Sequence, residues 1–194
     1  MLDILMWVLK YIGPAVLATL ITHYLTARHY RARKTYEFAE RRLDELYGPL
    51  CSRLKQLKAN GELSVAISQA RHEAWQDECK RAPTPFLDHE RTFEPFKDSI
   101  DYENARFREY TMPLFDEMLE ILNTKRHLAF PSTLSFFDTF YRFVQLWRRW
   151  LDDAIPGEAI ERIEVREEEL RPFYADIEKK HAALVRRLSG DRKS

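Results

Sequence analysis

Six histidines, two cysteines and a scatter of carboxylates are the residues from which this sequence could build catalysis or a metal site. A di-metal helical bundle needs two Glu-x-x-His pairs and two further glutamates converging from four helices. The chain has one such pair, Glu178 and His181, and no second. His181 is therefore read as a helix-packing residue. His72 and Glu73 could supply a base and an acid, but adjacent residues on a helix point in different directions and do not act as a unit. Asp88, His89 and Glu90 fall in a proline-rich stretch of the irregular kind in which functional side chains concentrate, yet no partner motif accompanies them. No phosphate loop, dinucleotide glycine pattern, zinc-helix motif or nucleophile elbow is present. Cys51 and Cys79 stand 28 residues apart, far from metal or redox spacing, and are expected as free thiols in a reducing compartment. No catalytic, cofactor-binding or metal-binding residue is assigned, and no cofactor.

The other residues with a chemical use are cations beside apolar or aromatic neighbours. Arg28, Arg31, Arg33 and Lys34 directly follow an apolar N-terminal segment, with Lys10 on its other flank. Arg148 and Arg149 lie between Trp147 and Trp150; with Phe137 and Tyr141 on the same helix they form a candidate partner surface. The segment Arg28 to Lys58, with Tyr30 and Tyr36 among the charges, could in principle meet phosphates. The chain as a whole is balanced at 31 cations and 31 acids, and the apolar segment competes for that charge, so no nucleic acid is expected.

These cations must be positioned by what surrounds them, and the N-terminus is the first element to consider. Tyr11 to Ala27 is 17 residues without a formal charge, at the short end of a membrane span. Leu2 to Leu9 adds a second apolar run beyond Lys10, whose ammonium is expected to snorkel to the headgroups. Asp3 and the absence of a small-x-small cleavage pattern argue for a retained anchor over a cleaved signal peptide. The excess of cations after residue 27 then puts residues 28–194 in the cytoplasm and the N-terminus outside the inner membrane. Residues 28–59 hold nine cations against four acids, whereas residues 60–194 hold 21 against 26. A basic stem near anionic lipid and an acidic distal body fit that arrangement.

The body reads as helical throughout. Five glycines in 194 residues, no hairpin signal and pervasive three- and four-residue apolar spacing exclude a turn-rich β fold. Gly48-Pro49 is expected to kink or break the stem helix, Asn60-Gly61 to end the next, and Pro113 to interrupt a later one. Glu62 to Lys80 is expected to pack through Leu63, Ile67, Ala70 and Trp75, and residues 82–100 to form an irregular segment around Phe86, Phe93 and Phe96. From Pro131, Phe136, Phe140, Phe143, Trp147 and Trp150 recur at four and three, which predicts a central helix with Phe140 and Trp147 buried. A break follows at Ala154 to Gly157. Ile163, Leu170, Ile177 and Leu184 then stand seven apart, with Glu167, Tyr174, His181 and Leu188 four after each. This is read first as a bundle helix and second as a seam between chains.

The expected fold is all-α: one N-terminal transmembrane helix followed by a cytosolic bundle of four to six helices. The expected divisions are an anchor over 1–27, a basic stem over 28–47, a bundle over 48–188 and a tail over 189–194. The expected function is a membrane-anchored interaction module presenting its bundle to a protein partner or to itself, with the bilayer and a weak homo-oligomer as further partners. The alternative is an effector whose span oligomerises, through Lys10, and perturbs the bilayer. An enzyme comes third.

Overall fold

The structure is a computed structural model that describes the backbone of residues 13–81, 89–152, 154–156 and 167–190, with side chains from residue 16 onward except residue 17 and residues 89–96. Helix α1 covers Gly13–Arg42 and passes through a π-turn, Leu43–Tyr47, into α2, Gly48–Arg81. Helix α3, His89–Arg106, likewise passes through a π-turn, Phe107–Thr111, into α4, Met112–Thr124. A 3₁₀ turn at Arg126–Leu128 and the single turn α5, Pro131–Leu134, lead to α6, Phe137–Leu151; a 3₁₀ turn at Glu167–Leu170 opens α7, Arg171–Gly190. No strand occurs among the described residues.

At Pro49, where a kink or break is expected, and at Pro113, where an interruption is expected, a π-turn interrupts the α pattern and the helix then continues, each time for the same cause. A helical proline has no N–H for the carbonyl four residues back, and its ring crowds that carbonyl. A π-turn just before the proline widens the backbone, which bonds five residues back: Gly48 N–H donates to the Leu43 carbonyl, and Met112 N–H to that of Phe107. At the first turn the approach is close, since a Cβ on Gly48 would lie 2.8 Å from the Leu43 carbonyl oxygen. Gly61 does not end a helix either; α2 runs through it. Leu63 and Val65 of the distal half of α2 are exposed, so the packing expected of Leu63 is not formed.

One core joins the proximal half of α2, α4, α6 and α7. Leu46, Leu50, Leu54, Met118, Leu122, Phe140, Phe173 and Ile177 are fully buried in it. Phe140 is buried as expected, while Trp147 is half-buried at the core's edge. Leu170, Ile177 and Leu184 are buried together with Tyr174 and Leu188, so the seven-residue seam packs inside the molecule, against α1, α2 and α5, with Phe173 meeting Phe140 of α6. Pro172 sits in the first turn of α7, where a missing N–H costs nothing.

A directional chain of hydrogen bonds crosses the core. Thr133 Oγ1 donates to Asp176 at 2.6 Å, which leaves its oxygen to accept from the Tyr47 hydroxyl at 2.7 Å. Tyr47 in turn accepts from the Phe130 N–H at 3.0 Å. Each hydroxyl has one proton, so the order is forced. It ties the first π-turn, α5 with the residue before it, and α7 together.

The N-terminal transmembrane helix is corrected. Helix α1 is 30 residues long, but Thr19, Thr22, His23 and Thr26 interrupt its apolar part and charges begin at Arg28. No described helix is both long and apolar enough to cross a membrane. The fold is all-helical, without a span among the described residues. Asp3, Lys10, Phe86, Asp88, Ile163 and the last four residues lie outside the described residues, as do the side chains of His89, Glu90, Phe93 and Phe96.

Candidate functional site

Helix α1 enters the core at Ala39, with Tyr36 half-buried against it; between Val16 and Thr35 no described side chain is buried. At 1.5 Å per residue this arm extends roughly 30 Å from the bundle. Val16, Leu20, Ile21, Tyr24 and Leu25 are all exposed on it. Val16, Leu20 and Tyr24 follow at four-residue steps, and Arg28, Arg31 and Lys34 continue the same track at steps of four, three and three. One side of the arm is therefore apolar for its first turns and basic for its last.

The four expected flank cations on α1 divide into two kinds. Arg33 and Lys34 both bond Glu37, at 2.9 and 3.0 Å. The Lys34 hydrogen bond, then that from Arg33, lowers the Glu37 pKa, and the Glu37 bond raises that of Lys34. Lys34 also lies over the Tyr30 ring. Arg28 and Arg31 have no acid partner among the described residues, so their charge is available to an outside anion. Farther along the stem, Arg41 bonds Glu45, Arg53 bonds Glu117, and Lys58 bonds Glu178 at 2.6 Å. Glu178, the carboxylate of the one Glu-x-x-His pair, is thus an ion-pair partner across α2 and α7. His72 meets Gln76 Nε2 and the Trp75 ring.

The expected partner surface on α6 separates into parts. Phe137 stacks on Tyr141 with ring centres 6.2 Å apart, under the Arg126 guanidinium, and Tyr141 is exposed. Arg148 is held by Asp116 of α4. Arg149 is exposed without an acid partner among the described residues. Phe137 and Arg149 are twelve residues apart, about 18 Å along a helix, so these four residues do not form one patch.

A cationic cluster went unmarked in the sequence. The Arg42 guanidinium lies over the rings of Phe38 and Phe130, 4.5 and 4.1 Å from their centres, and Lys180 Nζ lies 4.8 Å from that of Phe130. Burial, with a smaller contribution from Arg187, lowers the Arg42 pKa, and its Nε has no hydrogen-bond partner. The four-residue spacing of Phe38 and Arg42 was a visible signal; the approach of Phe130 and Lys180 was not. Cys51 and Cys79 are free. Among the described residues no group of three His, Cys, Asp or Glu could hold a metal. No family model, curated protein or solved structure matches this chain.

Proposed function

We propose that this protein is a helical interaction module that docks on an anionic lipid surface through the α1 arm and leaves its bundle, with exposed Tyr141 and Arg149, for contact with protein. The observation that carries the reading is the arm itself: five large apolar side chains exposed on the part of α1 where no described side chain is buried, followed on the same track by Arg28 and Arg31 without acid partners among the described residues. A soluble monomer gains nothing from exposing such a stripe, and contiguous apolar surface of this kind marks interaction sites. Apolar side chains partition into the headgroup boundary, and each cation near anionic lipid adds about 1 kcal/mol. The arm needs only to lie in the interface for this, not to cross it.

Vesicle flotation of the full chain tests the reading. Vesicles containing phosphatidylserine should carry the protein up the gradient, and neutral phosphatidylcholine vesicles much less. Leu20→Glu with Ile21→Glu should abolish flotation, and Arg28→Glu with Arg31→Glu should remove the preference for anionic lipid. Flotation unaffected by the first pair sinks the proposal. A concentration-dependent dimer that the same pair dissolves, in protein that never floats, assigns the stripe to a second copy instead.

A further inference from the structure

Phe38 and Arg42 extend the track of Arg28, Arg31 and Lys34 by two further steps of four, so the apolar and basic side of α1 runs into the bundle at the Arg42 cluster. The rings of Phe38 and Phe130 hold the Arg42 guanidinium, 4.5 and 4.1 Å from their centres. Its Nε is buried and out of reach. Its two terminal nitrogens also lack a hydrogen-bond partner among the described residues, but they are open to solvent. A guanidinium fixed by its neighbours with those N–H groups free is prepared to meet an oxyanion through two parallel bonds.

The charge around it is uncompensated. Lys180 Nζ lies 4.8 Å from the centre of the same Phe130 ring, which puts it within about 9 Å of the Arg42 guanidinium carbon. Arg187 stands seven residues after Lys180, two turns along one face of α7, and is exposed. Burial lowers the Arg42 pKa, and the Arg187 charge lowers it further. None of the three cations has an acid partner among the described residues. Asp176, one turn before Lys180, instead accepts from Thr133. Other cations between helices are paired: Arg53 with Glu117, Lys58 with Glu178, and Arg148 with Asp116. Half-buried like charges left together are a cost to the fold that a bound anion removes.

We propose that Arg42, Lys180 and Arg187 form a binding site for a phosphate monoester. Such a group carries a charge of about −1.5 to −2 near neutral pH and three acceptor oxygens, one for each cation, whereas a carboxylate or a phosphodiester brings a single charge. The continuity of the track makes an anionic lipid its source. When the arm lies on a bilayer, the side of α1 that faces the lipid is the side that ends at Arg42. That choice of source rests on the docking reading above, and the site itself does not; a soluble phosphate compound is the other source of the same chemistry.

The full chain is floated on phosphatidate and on phosphatidylserine vesicles of equal surface charge, and titrated calorimetrically with glycerol 3-phosphate in the absence of vesicles. With a lipid source, phosphatidate should bind about tenfold tighter than phosphatidylserine, the worth of one charge-assisted hydrogen bond. With a soluble source, glycerol 3-phosphate should bind saturably and the two lipids should not differ. In either case Arg42→Gln should remove the effect, and so should Arg187→Glu. The second variant gives Arg42 a carboxylate in place of a like charge, so it should melt at or above the parent's temperature and its loss of binding is not a loss of fold. The site is overturned if the parent neither prefers phosphatidate nor binds glycerol 3-phosphate, or if Arg187→Glu behaves as the parent does. Protein that floats equally on both lipids without soluble binding loses the site and keeps the docking reading. Protein that binds glycerol 3-phosphate and never floats keeps the site and loses the docking reading.

Discussion

Thr133 is the one fully buried polar side chain other than tyrosine among the described residues, and its stability role follows from proton counting. Removing its hydroxyl leaves Tyr47 without an acceptor and Asp176 without that donor. Thr133→Val should lower stability by about 1–3 kcal/mol, the cost of stranding buried polar groups, whereas Thr133→Ser should recover most of it. Denaturant midpoints of the two variants check this. Glu45 carries a pH signature of its own. Hydrogen bonds from Arg41, then from Lys125 at 2.8 Å, hold its carboxyl down at about 2. Below the ordinary value of 4.5 the unfolded chain takes up the proton first. Its stabilising contribution is therefore present above pH 4.5 and is lost as pH falls toward 2. Glu45→Gln should flatten the stability profile across that window, and thermal melts at pH 5 and pH 3 would show a smaller difference than in the parent.

Between elements, two glycines in one helix should respond to alanine with opposite signs. Gly48→Ala forces a Cβ to within 2.8 Å of the Leu43 carbonyl oxygen, so the π-turn that accommodates Pro49 must open. The expected loss is about 1–3 kcal/mol, the usual range for forced backbone shifts in packed sites. The second π-turn has Met112 at the corresponding place, so glycine answers the tightness of the first turn rather than π geometry as such. Gly61→Ala adds a methyl group to open space and should raise stability by about 0.5–1 kcal/mol. Denaturation of the two variants side by side separates local crowding from helix propensity. Across elements, Arg53 with Glu117 and Lys58 with Glu178 clamp α2 to α4 and α7. Both pairs are substantially exposed, so each is worth at most about 1 kcal/mol. Packing, not charge, holds the rods together.

For the molecule as a whole, stability is concentrated where α6 meets α4 and α7. Phe140 is fully buried, with Phe173 5.0 Å and Phe115 6.1 Å away between ring centres. Phe140→Ala should cost about 3–5 kcal/mol, a large share of the 5–15 kcal/mol typical of a domain. Tyr141, the next residue, is exposed, and Tyr141→Ala should change stability by less than about 0.5 kcal/mol. Calorimetric melting of the full chain distinguishes the two. A comparable loss for both would mean that the outer face of α6 is also packed. The arm, in contrast, contributes no buried side chain before Ala39 among the described residues, so the Leu20→Glu and Ile21→Glu pair should leave the melting temperature unchanged while removing lipid binding.

Helical class, the buried face of α6 and the seam of α7 were all legible in the sequence, because apolar spacing is a local property that a helix reads directly. Phe140, Ile177 and Leu184 are where that spacing puts them. The same local signals misled at Gly61, which α2 runs through, while at Pro49 and Pro113 the interruption is a π-turn that absorbs the proline and lets the helix go on. The N-terminal stretch had the composition of a short span, but α1 carries its threonines, His23 and the cations from Arg28 in one continuous rod that falls short of one. Which cations stay free was also outside the reach of spacing: Lys58 meets Glu178 across 120 residues, and Arg53 meets Glu117 across 64. The cluster at Arg42 likewise draws on α1, the residue before α5 and α7 at once. Faces are set by neighbours along the chain; pairings and clusters are set by which faces the tertiary fold brings together.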